Sequence, residues 1–106
     1  MRSGTARRAL GTLLLVFLTG SARAEVIQVK MEKIAFVPKQ VSAHVGDTVE
    51  WVNADIVAHT ATARNGAWDA ILPPYATRRV KLKAAGTVDY YCRFHPNMTG
   101  QIVIAE

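Results

Sequence analysis

The chain has 106 residues, with 13 lysines and arginines against eight acidic side chains and a formal charge of +5. Four of those cations, Arg2, Arg7, Arg8 and Arg23, lie in the first 24 residues, and from Glu25 onward nine basic side chains face eight acidic ones. A nearly neutral remainder without a basic-aromatic array excludes a counterion-releasing nucleic-acid binder. The lack of any apolar run of about 18 residues excludes a membrane span after Ala24.

The first element is a basic start, an apolar run from Leu13 to Leu18, and a small-x-small site at Ala22-Arg23-Ala24. This is the layout of a secretory signal peptide, and its apolar centre is too short for a retained anchor. Residues 1–24 are therefore expected to be cleaved after Ala24, leaving a domain of residues 25–106 in the periplasm. Arg7-Arg8 raises twin-arginine export, but Gly11 and Thr12 follow where an apolar-then-basic continuation would strengthen it, so the route stays open.

From Val26 the pattern is one of short strands. Ile27, Val29 and Met31 alternate with Gln28 and Lys30; Val41, Ala43 and Val45 repeat the period; Gly46-Asp47 marks a turn; and Val49 and Trp51 point inward within Thr48 to Asn53. A strand is expected over His59 to Arg64, ended by Asn65-Gly66. After an irregular stretch with Trp68 and Pro73-Pro74 comes Thr77 to Ala84, where Val80 and Leu82 face in and Arg79, Lys81 and Lys83 face out. Thr87 to Cys92 and Gln101 to Ala105 complete the set. No segment holds a helical period, which indicates a single antiparallel sandwich or small barrel.

Small exported domains usually rely on disulfides, yet Cys92 is the only cysteine. An unpaired thiol in an oxidising compartment is a liability unless it is buried or bound. Three residues after it stands His95, and three further on Met98, all on one loop between predicted strands. Thiolate and thioether are soft ligands suited to Cu(I), and imidazole suits Cu(II) as well. A site of two histidines, one cysteine and a weak axial methionine lacks one histidine. His44 is out of phase with Val41, Ala43 and Val45 and should face solvent, so His59, at the start of a strand, is the expected fourth ligand.

Zinc is disfavoured because methionine is a poor ligand for it. Covalent c-type haem is excluded by the absence of Cys-x-x-Cys-His. A Cys/His nucleophilic enzyme needs an accessible thiolate beside a cleft, for which one short loop leaves little room. The basic stripe Arg78 to Lys83 reads first as a solvated strand face and second as a docking patch for an acidic redox partner.

With these residues in place the chain resembles the small cupredoxins, blue copper electron carriers such as amicyanin and plastocyanin. The resemblance runs from Phe36-Val37-Pro38 through Val45-Gly46-Asp47-Thr48-Val49-Glu50-Trp51-Val52-Asn53 and His59 to Asp89-Tyr90-Tyr91-Cys92 and Met98-Thr99-Gly100. The Cys-x-x-His-x-x-Met spacing is amicyanin-like. It implies a Greek-key β-sandwich, one copper ion cycling between Cu(I) and Cu(II) on His59, Cys92, His95 and Met98, and no bond chemistry on a substrate.

The resemblance further implies electron exchange with donor and acceptor proteins. They would dock weakly near His95, the electron port, against a patch of Ile56, Val57, Phe94 and Pro96, and the working unit is expected to be a monomer. Copper delivery or storage is the alternative. Three positions depart from amicyanin: Ala58 and Phe94 stand where proline is usual, and Thr60 where asparagine is. Thr60 is expected to keep a backbone N–H toward the cysteine sulfur and a hydroxyl bridge between the ligand loops. Phe94 is expected to donate its N–H to the thiolate and help exclude water, raising the reduction potential above that of Phe94→Pro.

Overall fold

A computed structural model describes residues 23–106; of the expected leader, residues 1–24, all but the last two lie outside them. Among the described residues nine strands form, labelled in chain order β1 (Val26–Met31), β2 (Phe36–Val37), β3 (Gln40–His44), β4 (Thr48–Asn53), β5 (His59–Ala63), β6 (Asp69–Leu72), β7 (Thr77–Lys81), β8 (Gly86–Tyr91) and β9 (Thr99–Ala105). They build two sheets, one in the order β3-β9-β8-β5-β6 and the other β2-β1-β4-β7.

The all-β sandwich agrees with the sequence reading, with one refinement. Most neighbours are antiparallel, but β1 pairs with β4 and β9 pairs with β3 in parallel. Alternation of apolar residues specifies which face of a strand is buried, not which way its neighbour runs, so the pattern carried no information on this point. Two strands escaped the sequence reading. β2 has only two residues, and β6 occupies part of the stretch read as irregular, stopping at Leu72 because Pro73 follows.

The inward faces are those expected for β1 and β4: Val29, Met31, Val49 and Trp51 are fully buried. Across the sandwich they meet Ala43, Tyr90, Ile102 and Ile104. Tyr90 is the centre of an aromatic cluster, edge-on to Phe36 at 4.6 Å and to Trp51 at 5.5 Å between ring centroids. Val45 departs from the expected phase. It lies in the β3–β4 turn and is exposed, because the turn at Gly46, with φ of 100°, begins one residue before the apolar alternation would end.

That turn is held by Asp47, which is buried. Its Oδ1 accepts the Glu25 N–H at 2.9 Å and its Oδ2 the His44 N–H at 2.8 Å. The Glu25 and His44 amides hold the Asp47 carboxyl below its ordinary value, overcoming the opposing effect of desolvation. A carboxyl with a depressed folded pKa contributes stability that is complete above the unfolded value, near 3.8, and is lost as pH falls through the lower folded one. Urea midpoints of the wild type are therefore expected to fall more steeply below about pH 4 than those of Asp47→Asn. Parallel curves for the two proteins would show that Asp47 contributes nothing to acid sensitivity.

Candidate metal centre

The end of the sandwich where β5 begins and β8 ends gathers His59, Cys92 and His95, whose ligand atoms all lie within 4.8 Å of one another. Cys92 Sγ is 3.8 Å from His59 Nδ1 and 3.7 Å from His95 Nδ1. An ion bonded at about 2.0 Å to imidazole nitrogen and 2.3 Å to thiolate, the values for zinc, would hold such atoms about 3.7 Å apart at trigonal angles. The donor types and the two sulfur–nitrogen spacings therefore fit one first-row ion, and two imidazoles with a thiolate are the trigonal set of a type 1 copper site.

The Cys92 loop is closed by its own backbone. His95 N–H donates to Cys92 O at 3.3 Å, Met98 N–H to His95 O at 2.8 Å, and Cys92 N–H to Met98 O at 3.0 Å. These bonds wind the loop so that Cys92 and Met98 are buried while His95 stays partly exposed. Met98, the fourth expected ligand, thus lies buried on the loop that carries the other two. His59 is fully buried at the start of β5, and His44 is exposed on β3, as its phase indicated.

A second set of bonds joins the two ligand segments. Thr60 N–H donates to Cys92 Sγ at 3.3 Å, and Thr60 Oγ1 accepts the Arg93 N–H at 2.8 Å. The chain continues from Thr60 Oγ1 to Thr62 Oγ1 at 2.8 Å and from Thr62 to Asp69 Oδ1 at 2.7 Å. Asp69 then accepts from the Arg93 guanidinium, each of two contacts being 3.2 Å. The circuit begins and ends on Arg93 and ties the ligand loop to β5 and β6. Thr60 performs both roles expected of it; the Thr62–Asp69–Arg93 continuation has no signal in the sequence, because it runs through β6, a strand of four residues.

Thr60→Val keeps the N–H to sulfur and removes the hydroxyl. The Arg93 N–H then loses its partner, so a loss of about 1–2 kcal/mol in unfolding free energy is expected by urea denaturation. A value within error of wild type would show that water replaces the hydroxyl at no cost.

The expected bond from Phe94 to the thiolate is corrected by the geometry. Among the described residues Thr60 N–H is the backbone donor to Cys92 Sγ. The turn closed by His95 N–H on Cys92 O leaves Phe94 at its outer corner, with its ring half exposed. Phe94→Pro therefore removes no bond to sulfur, and the potential difference expected from that bond loses its basis.

Two further residues support the centre. Asn53, 1% exposed, donates through Nδ2 to Val57 O, Leu72 O and Pro73 O, pinning the segment before His59 against the end of β6. Asp55 lies with Oδ2 2.7 Å from His59 Nε2. Its carboxyl is held below the ordinary range: burial opposes this, but the bonds from Ile34 N–H, His59 and Lys33 N–H outweigh it. The signal for both was the Asn-x-Asp spacing in a turn segment; Asp55 N–H does donate to Asn53 Oδ1, at 2.9 Å.

Comparison with known proteins agrees with this geometry. A family model described as a cupredoxin-like domain matches residues 8–104. The chain belongs to the cupredoxin family. This cupredoxin is 32% identical over 108 residues to amicyanin-alpha of Methylorubrum extorquens, covering 96% of the chain and 88% of the relative. It is 36% identical over 90 residues to plastocyanin of Nostoc punctiforme, a match covering 74% of this chain and 65% of that protein, just under two thirds of its length. Among solved structures, an oxidized methionine-to-leucine variant of amicyanin superposes with a TM-score of 0.69 at 26% identity, over 74% of this cupredoxin and 80% of that chain.

Proposed function

We propose that this cupredoxin is an exported carrier of single electrons, working in the periplasm after cleavage behind Ala24. In this reading His59, Cys92 and His95 hold one copper ion and Met98 is its weak axial ligand. The observation that carries the proposal is the placement of two imidazole nitrogens 3.7–3.8 Å from one buried thiol sulfur. Copper bound there supplies a Cu(I)/Cu(II) couple.

The protein's own residues account for the rest of the behaviour. Cys92 and His59 are closed to water, and the loop bonds and Thr60 circuit hold the donors in place whatever the oxidation state, so little rearrangement accompanies electron transfer. His95 alone of the three reaches the surface. Ile56, Val57 and Phe94, the first of them 76% exposed, offer an apolar surface of the kind that suits brief encounters with a redox donor and acceptor. Processing after Ala24 would keep every described strand, and among the described residues Glu25 is the first with a hydrogen bond to the sandwich, through Asp47 Oδ1 and Thr48 N–H. Among the described residues no helix is long and apolar enough to cross a membrane.

The basic stripe is a weaker docking candidate than its composition suggested. Arg79 Nε is paired at 2.8 Å with Glu50, which also accepts from Gln28, so the charge at its centre is partly neutralised.

Oxidising the copper-loaded protein is expected to produce an intense blue colour from thiolate-to-copper charge transfer, with fast electron self-exchange. A colourless Cu(I) protein that resists oxidation but passes copper to an acceptor would replace the carrier reading with delivery.

A further inference from the structure

His59 must offer an unprotonated Nδ1 toward Cys92 from a ring that is fully buried. Its other nitrogen faces Asp55, and a carboxylate can only accept, so the ring proton is placed on Nε2 and Nδ1 keeps its lone pair. The same carboxylate reaches the opposite way as well. Its Oδ1 accepts the Lys33 N–H at 2.8 Å and its Oδ2 the Ile34 N–H at 3.0 Å. Lys33 and Ile34, with φ of 55° and 57°, form the two-residue turn between β1 and β2, closed by paired bonds between Glu32 and Ala35. That conformation favours Asn-Gly and is resisted by side chains with a Cβ. Here it is held from outside, by an acid 21 or more residues away in sequence.

We propose that Asp55 is a positioning residue of the metal centre, whose single carboxylate clamps the Lys33–Ile34 turn and the His59 ring together and so sets the tautomer and tilt of His59. The spectroscopic consequence rests on the copper reading; the tautomer does not. Asp55→Asn keeps the size of the side chain but offers one acceptor oxygen and brings an amide donor against N–H groups. Cu(II) affinity is expected to fall about 10–100-fold. Cu(I) should lose less, because a carboxylate on Nε2–H makes the imidazole a stronger donor to the more charged ion. The potential therefore rises, by about 59 mV for each tenfold change in the affinity ratio.

A repaired turn separates positioning from simple structural support. Adding Lys33→Asn and Ile34→Gly to Asp55→Asn should restore the melting temperature and the amide protection of the turn, and leave Cu(II) affinity and potential at the altered values. Recovery of both to wild-type values would overturn the proposal. Nitrogen NMR of metal-free wild type gives an answer even if the variants fail to fold: His59 should show only a slowly exchanging Nε2–H, and a proton on Nδ1 would sink the idea. If the variant changes the tautomer while neither protein turns blue with Cu(II), the positioning role stands and the copper reading falls.

Discussion

His59→Ala is expected to abolish the blue colour proposed for the copper-loaded protein, and His44→Ala to leave it unchanged. Loss of His59 removes one of the two imidazoles beside Cys92 Sγ and leaves the Asp55 carboxylate without its ring. Replacing an outer partner of a metal ligand commonly costs 10–100-fold in affinity; removing the ligand itself should lower Cu(II) affinity by more than about 100-fold. His44 is exposed and pairs with Ala105, at the far end of β9 from the ligand loop. The run from Thr99 to Ala105 spans about 20 Å at strand rise, so the His44 imidazole has no route to the centre. Visible absorption and copper titration of the two variants check this. Retention of the band in His59→Ala would remove His59 from the ligand set, and loss of it in His44→Ala would reverse the assignment.

Gly100→Ala is expected to be the most destabilising single-methyl change in the fold. Gly100 sits opposite Tyr90 in the β8–β9 ladder, and the Tyr90 ring lies across it. A Cβ at this position would run into Tyr90 Cζ and stand 2.6 Å from Oη and 2.8 Å from Cε1. The ring has no easy retreat, since Phe36, Trp51 and Trp68 surround it with centroids at 4.6, 5.5 and 6.5 Å. Overpacking of a closed core costs about 1–3 kcal/mol, and a rigid aromatic target places this case at the upper end. For a domain of this size that is a fall of about 10–20 °C in melting temperature.

The same change has a second readout. Burial pushes the Tyr90 phenol up to about 12, and a ring displaced toward solvent should titrate closer to the ordinary value of 10.0. Ultraviolet pH titration together with thermal melts tests both effects. A variant that melts within about 2 °C of wild type, less than the shift from 1 kcal/mol in a domain of this size, would show that the β8–β9 pair opens at little cost.

Much of this could be read from the chain because the relevant signals are local. The alternation in Val26–Met31 and Thr48–Asn53 named the buried face of each strand, and Val29, Met31, Val49 and Trp51 lie there. Cys92, His95 and Met98 share one short loop, so their spacing alone brought them together. His44 was set apart by its strand phase, and His59 by its place at the start of a strand. β2 and β6 were not legible because runs of two and four residues are too short for a period to register. Phe94 misled because a residue's nearness in sequence to Cys92 says nothing of where its N–H points once a turn has formed.

The sequence by itself determined the class of fold, the candidate donor side chains and the near-neutral charge after Ala24, since each follows from residue identity or from spacing within a single segment. Tertiary structure alone decided the parallel pairing of β1 with β4 and of β3 with β9, the donor to the Cys92 sulfur, and the partner of His59. The Thr60–Cys92 bond spans 32 residues and the Asp55–Lys33 bond 22. The reason is physical: a hydrogen bond depends on two groups meeting within about 3 Å at a suitable angle. For residues that far apart, only the packing of the two sheets brings them there.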